Sequence, residues 1–146
     1  MIMCMNKIRI SSCNGEGYLP LSIHEGWQVA YLTTCEKHQL DDLENMEVHR
    51  KTDELFMLLR GEAVLLEADY EGDQPVFQAL RIKPFVMYDV PQGIWHNIAM
   101  APGTLLLIVE KDGTHLNDVA YRDFSEEDRQ VVNGMIELTI RKGDVS

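Results

Sequence analysis

The chain has 146 residues, of which 45% are hydrophobic and 25% are charged, and its formal net charge at pH 7 is −11. This length and composition are typical of one globular domain that buries its core without cross-links. The acidic balance argues against a nucleic-acid partner, which needs clustered lysine and arginine, and against an anionic membrane surface.

The N-terminal segment is predicted to extend the domain. Lys7 and Arg9 precede any long apolar run, so we expect neither a signal peptide nor a membrane span, and cytoplasmic location follows. Alternating polar and apolar residues over 7–11 predict an edge strand. Three cysteines, an odd number without metal-type spacing, are predicted to be thiols in a reducing cytosol: Cys4, Cys13 and Cys35.

The middle of the chain has the pattern of many short strands. They are predicted at residues 27–34, 55–59, 63–66, 76–82, 84–90, 95–100 and 105–110. Arg60-Gly61-Glu62 is interpreted as a hairpin turn, with Gly61 supplying the permissive backbone dihedral. Short strands spaced by roughly 8–12 residues, with glycine and proline between them, indicate a sandwich or barrel.

After Gly113 the pattern becomes helical. Ser125 followed by Glu126-Glu127-Asp128 is typical of a capped helix N-terminus with acidic residues in its first turn. Asn133-Gly134 leaves open an early end for this helix. Four apolar residues form a stripe that would pack on the barrel or on a partner: Val131, Val132, Met135 and Ile136.

Two segments carry the candidate site. In residues 47–61, His49 and Glu54 are separated by four residues, and Gly61 follows Glu54 after six. Residues 91–96 read Pro-Gln-Gly-Ile-Trp-His and end in His96. These segments resemble the two motifs of the cupin superfamily, G-x5-H-x-H-x(3,4)-E-x6-G and G-x5-P-x-G-x2-H-x3-N. Three framing positions differ, with Asp41 and Phe85 at the leading glycines and Met100 at the closing asparagine, and Glu47 stands at the first histidine.

The resemblance implies an all-β jelly-roll barrel with a short C-terminal α-helix. It implies one domain over residues 1–146, with the barrel at about 27–111 and terminal extensions at 1–26 and 112–146. It also implies a divalent transition metal held by His49, Glu54 and His96, with Glu47 in the fourth position. Imidazole and carboxylate together suit Mn, Fe, Co, Ni, Cu or Zn.

A second alignment places Lys51 at the position of the second family histidine, but it leaves only two residues before Glu54. Lys51 would share a face with Glu47 and His49 if the strand stays regular that far. Both Glu47 and Lys51 are therefore candidate catalytic residues, Glu47 as a proton acceptor and Lys51 as a base or Schiff-base nucleophile.

The expected function is that of a small cupin which binds the metal and acts on, or binds, a small organic molecule, as a dioxygenase, isomerase or lyase. A metal-free, non-catalytic barrel that binds a sugar or small acid stays open, because Glu47 replaces a family histidine. Trp95 is expected outside the site, and three histidines are interpreted as surface residues: His24, His38 and His115. Exposed apolar residues at both termini predict a symmetric homodimer.

Overall fold

A computed structural model describes residues 1–5 and 7–143. Its strands β1 to β12 span Ile2–Met5, Ile8–Ser11, Gly17–His24, Trp27–Thr33, Asn45–Val48, Glu54–Arg60, Ala63–Asp69, Val76–Arg81, Met87–Val90, Trp95–Met100, Leu105–Glu110 and Ala120–Asp123. Helices α1 and α2 span Thr114–Asn117 and Glu126–Gly143, and a 3-10 turn spans Glu36–His38.

Ten of the strands form two five-stranded antiparallel sheets. The first sheet has the order β3-β4-β11-β6-β9 and the second the order β12-β5-β10-β7-β8, while β1 and β2 pair only with each other. The strands of each sheet come from distant parts of the chain, as a jelly roll requires. The predicted all-β jelly-roll architecture is therefore confirmed.

The turn at residues 60–62 does not make a hairpin, so that prediction is wrong. Strand β6 belongs to the first sheet and β7 to the second, and the turn carries the chain between them. Gly61 has φ +92°, and a Cβ there would lie 2.6 Å from Cα of Thr104. The turn and the unusual backbone dihedral of Gly61 were predicted correctly. A tight turn does not, however, determine whether the two strands that it connects pair with each other.

Hydrophobic residues fill two layers. One cluster lies between the sheets and includes Phe56, Leu58 and Ile108, which occupy alternate positions of their strands. The other lies between the second sheet and α2, where Val132 and Ile136 are fully buried. Trp95 packs in this outer layer, as predicted.

Helix α2 extends well beyond the apolar stripe at residues 131–136 from which it was predicted. The N–H of Asp128 donates to Oγ of Ser125 at 3.1 Å, which confirms the predicted cap. The helix continues through Asn133 and Gly134 to residue 143, so Asn133-Gly134 does not end it. The barrel also includes more of the chain than residues 27–111. Strands β3 and β12 are members of the two sheets, so the barrel spans residues 17–123.

The N-terminal hairpin leaves Ile2, Ile8 and Ile10 exposed. Cys13 and Cys35 are free thiols, while the side chain of Cys4 lies outside the described part of the structure. In residues 1–5 and 7–143, no helix has the length and apolarity needed to cross a membrane.

Candidate metal centre

Four side chains predicted from the two motifs meet inside the barrel. Glu47 lies on β5, His49 follows that strand directly, Glu54 begins β6 and His96 lies on β10 opposite Glu47. One potential ligand atom from each lies within 4.8 Å of the others, and His49, Glu54 and His96 are buried. The cluster therefore takes its side chains from both sheets.

Backbone carbonyls fix the orientation of both imidazoles. Nδ1 of His49 donates to the carbonyl oxygen of Asp118 at 2.6 Å, and Nδ1 of His96 donates to that of Ile94 at 2.9 Å. Because a carbonyl only accepts, each Nδ1 carries a proton and each Nε2 faces the cluster. This is the arrangement by which proteins hold histidine ligands of metals.

Glu54 is the electrostatic centre of the cluster. Its Oε2 accepts from Nε2 of His96 at 2.7 Å and from Nε2 of His49 at 3.1 Å. Burial alone would raise the pKa of Glu54, but the two imidazoles lower it to about 2. Burial opposes charge on His49 too, and Glu54 overcomes it and raises the pKa of His49 to about 9.

His96 follows the same pattern, since burial is outweighed by Glu54 and its pKa is raised. Burial and then the charge of Glu54 raise the pKa of Glu47 to about 7. Without a metal, the hydrogen bonds to Glu54 and the raised pKa values therefore favour the charged, protonated form of both imidazoles. Those protons are the ones that a metal ion would displace.

The donor set fits a divalent transition metal. Ligand atoms bound at about 2.1 Å to one ion lie roughly 3 to 4 Å apart. Nε2 of His96 lies 2.7 Å from Oε2 of Glu54 and 3.9 Å from Oε1 of Glu47. Two imidazole nitrogens and two carboxylates are thus close to a coordinating arrangement, and the donors are of the borderline type that such metals prefer.

Lys51 is not part of the cluster. Strand β5 ends at Val48, so the alternation that would have turned Lys51 inward stops before it, and the side chain is exposed. The backbone N–H of Lys51 donates to Oδ2 of Asp118 at 2.8 Å, and that of Arg50 donates to Oδ1 at 3.0 Å. The carboxylate of Asp118 thus holds the turn that follows β5, and its backbone carbonyl holds the imidazole of His49. Nothing in the sequence pattern had indicated a role for Asp118.

A cavity of about 620 Å³ adjoins the cluster, and Glu47, His49 and Glu54 form part of its wall. His38 and His115 line it as well, so their interpretation as surface residues is wrong. His38 is held by Nδ1, which donates to the carbonyl oxygen of Ile98 at 3.0 Å.

The wall of the cavity includes polar residues that the sequence interpretation missed. Glu110, which is 5% exposed, is paired across the sheet with Gln28, which is fully buried. The hydroxyl of Tyr18 donates to Oε1 of Glu110 at 2.5 Å. A signal for Glu110 was present, because it continues the inward alternation of Leu106 and Ile108 on β11.

Two facing antiparallel sheets, with a buried histidine–carboxylate cluster at one end, define the chain as a jelly-roll protein with a candidate metal centre. No protein-family model matches the sequence, and no curated protein matches it. Among solved structures, the fold is similar to BH2720 from Bacillus halodurans, with a TM-score of 0.54 and 15% identity over 81% of this chain and 84% of that one.

It is also similar to Streptomyces PAC13, solved as a variant with uridine, with a TM-score of 0.51 and 9% identity over 80% of this chain and 86% of that one. A cupin-2 domain protein from Shewanella frigidimarina has a TM-score of 0.42 and 19% identity over 68% of this chain and 84% of that one. At these identities the likeness is one of fold, and it agrees with the jelly-roll barrel that the two motifs predicted.

Proposed function

We propose that this protein binds a divalent transition metal through His49, Glu54, His96 and Glu47 and acts on a small organic molecule in the adjoining cavity. The observation that carries the proposal is the convergence of four ligand atoms within 4.8 Å of one another. It is supported by the two backbone carbonyls that turn each Nε2 towards the others.

When bound, such an ion would supply Lewis acidity towards a carbonyl or hydroxyl group of the substrate. The two carboxylates balance the charge of a divalent ion, so the occupied cluster is close to neutral. Glu54 is engaged with both imidazoles, whereas the side chain of Glu47 is 19% exposed and lies at the longer distance from His96. The oxygen of Glu47 that does not bind the ion is therefore the proton acceptor of the proposed reaction, and proton transfer is what an isomerase or a lyase requires.

Metal content tests this proposal directly. The protein is stripped of metal, reconstituted anaerobically with Mn, Fe, Ni or Zn in turn, desalted and measured by elemental analysis. We expect close to one ion per chain with at least one metal, and loss of that ion in His96→Ala. His24→Ala is the matched control, since His24 stacks on Trp27 away from the cluster and should keep the ion.

A second candidate function is non-catalytic binding of a sugar or small acid in a metal-free barrel. The observation that favours it is the pairing of Glu54 with both imidazoles, which balances buried charge without any ion. Failure of all four metals to bind would reject the first proposal and leave this one.

A further inference from the structure

The wall of the 620 Å³ cavity carries two buried carboxylates side by side. Glu110 on β11 and Glu54 on β6 are 5% and 4% exposed. The two strands pair antiparallel with Val109 opposite Leu55, so the next position places Glu110 opposite Glu54 on the inner face. Side chains directly opposite each other on neighbouring strands lie roughly 5 Å apart at Cβ.

Each carboxylate leaves one oxygen without a partner among the described residues. Oε2 of Glu54 and Oε1 of Glu110 accept all the hydrogen bonds that these groups make. The remaining oxygens are not sealed in the core, because within residues 1–5 and 7–143 Asn133 holds the one buried side-chain oxygen or nitrogen without a partner. Both residues line the cavity, so Oε1 of Glu54 and Oε2 of Glu110 are the oxygens left to accept from a ligand there.

The neighbours of Glu110 hold it in this orientation. The hydroxyl of Tyr18 and Nε2 of Gln28 both donate to Oε1, at 2.5 and 2.9 Å. Oε1 of Gln28 accepts from the backbone N–H of Gly113 at 2.9 Å, which fixes the side-chain amide so that its NH2 group faces Glu110. The arrangement leaves Oε2 as the free acceptor.

Most of the charged residues that line the cavity are acidic, like Glu54 and Glu110. Its lining includes five glutamates, at positions 16, 36, 47, 54 and 110, against Lys37 and the imidazole of His49, whose pKa is raised to about 9. A divalent ion would offset Glu47 and Glu54, and the exposed glutamates of the rim would stay acidic. Burial and the charge of Glu54 raise the pKa of Glu110, and a cation bound beside it would favour its charged form. A wall with two free acceptors and a negative field favours a ligand that brings hydrogen-bond donors and positive charge, and it disfavours carboxylates and phosphates.

We infer that the cavity binds a small organic cation, with an ammonium or guanidinium group of the ligand placed between Glu110 and Glu54. The inference rests on the proposed function in taking this cavity as the ligand site. Glu110 is the specificity-determining residue, and Tyr18 and Gln28 are positioning residues that aim its carboxylate.

A matched set of probes tests the inference: n-butylammonium, n-butanol and butyrate, which differ in charge at nearly constant size. Binding to the metal-reconstituted protein and to the metal-free protein is followed by NMR of ¹³C-labelled glutamate side chains. We expect butylammonium to bind about tenfold or more tightly than butyrate, with the largest shift at Glu110.

Glu110→Gln should weaken butylammonium binding about tenfold or more and leave metal content unchanged, since Glu110 is not in the metal cluster. Tyr18→Phe should weaken it by a smaller factor, and Glu16→Gln on the exposed rim should change it little. Equal or tighter binding of butyrate, no binding of any probe, or an unchanged affinity in Glu110→Gln would overturn the inference. Binding of butylammonium to a protein that binds no metal would reject the proposed metal-dependent function and would still support the inferred cation site.

Discussion

Replacing Glu54 by glutamine should destabilise the metal-free protein in a pH-dependent manner. In the wild type, Glu54 raises the pKa of His49 from 6.5 to about 9 against the effect of burial. Each unit of pKa shift corresponds to about 1.4 kcal/mol, so the raised pKa of His49, to which Glu54 contributes most, corresponds to about 3 kcal/mol. This is the same attraction that lowers the pKa of Glu54, so the two shifts describe one contribution.

The sign follows from linkage. A raised histidine pKa stabilises the folded state fully below about pH 6.5, and the contribution is lost as pH rises through about 9. We therefore expect the free energy of unfolding of Glu54→Gln to fall below that of the wild type by about 3 kcal/mol near pH 6, and by much less near pH 9.5. Urea denaturation with a chelator present measures both values.

The matched control is Glu71→Gln, which removes an exposed carboxylate from a turn. It should change the free energy of unfolding little at either pH, because exposed single charges contribute little. An equal loss in Glu54→Gln at both pH values would refute the reasoning, since it would show that the imidazoles do not depend on Glu54 for their charge.

Four further predictions concern the site, the helix and assembly. Because metal must displace the proton of His49, apparent metal affinity should rise about tenfold per pH unit for that proton up to about pH 9, which calorimetry in buffers of different ionisation enthalpy detects as proton release. Glu47→Ala should weaken metal binding in a competition titration, whereas Lys51→Ala should not; the reverse order would reject the assignment of Glu47. Ser125→Ala should lower the free energy of unfolding by about 1 kcal/mol, measured by denaturation, because it removes the cap of α2. The homodimer remains a prediction, and sedimentation equilibrium that shows the mass of one chain at all concentrations would reject it.

The sequence predicted the strands of the barrel that bury a full face. The strands at 95–100 and 105–110 have the predicted bounds, because alternating inward residues leave a clear pattern. Strands β3 and β12 were not predicted, and both lie at sheet edges. All residues of β12 are exposed, and β3 contains Pro20, so neither has the continuous apolar alternation that identifies a strand.

The candidate site divides in a similar way. His49, Glu54 and His96 were predicted because they match positions of two short family motifs, and Glu47 was predicted because it stands at the first-histidine position of the first motif. Contacts between distant segments of the chain have no such pattern in the sequence and were not predicted. Asp118 reaches the site from a segment 69 residues beyond His49, through a backbone carbonyl that any residue possesses. The motifs therefore located the side chains of the cluster but not the backbone groups that orient them.

The contact between Asp118 and His49 links the proposed metal centre to the edge of the second sheet. Asp118 lies two residues before β12, a four-residue edge strand that pairs with β5, with Tyr121 opposite Glu47. Short edge strands open locally far more often than the whole fold unfolds. Each opening of β12 would release the carbonyl that holds His49 and uncover Glu47. Exchange of the ion with solvent should therefore follow the opening rate of this strand, and bound metal should slow amide hydrogen exchange at residues 120–123.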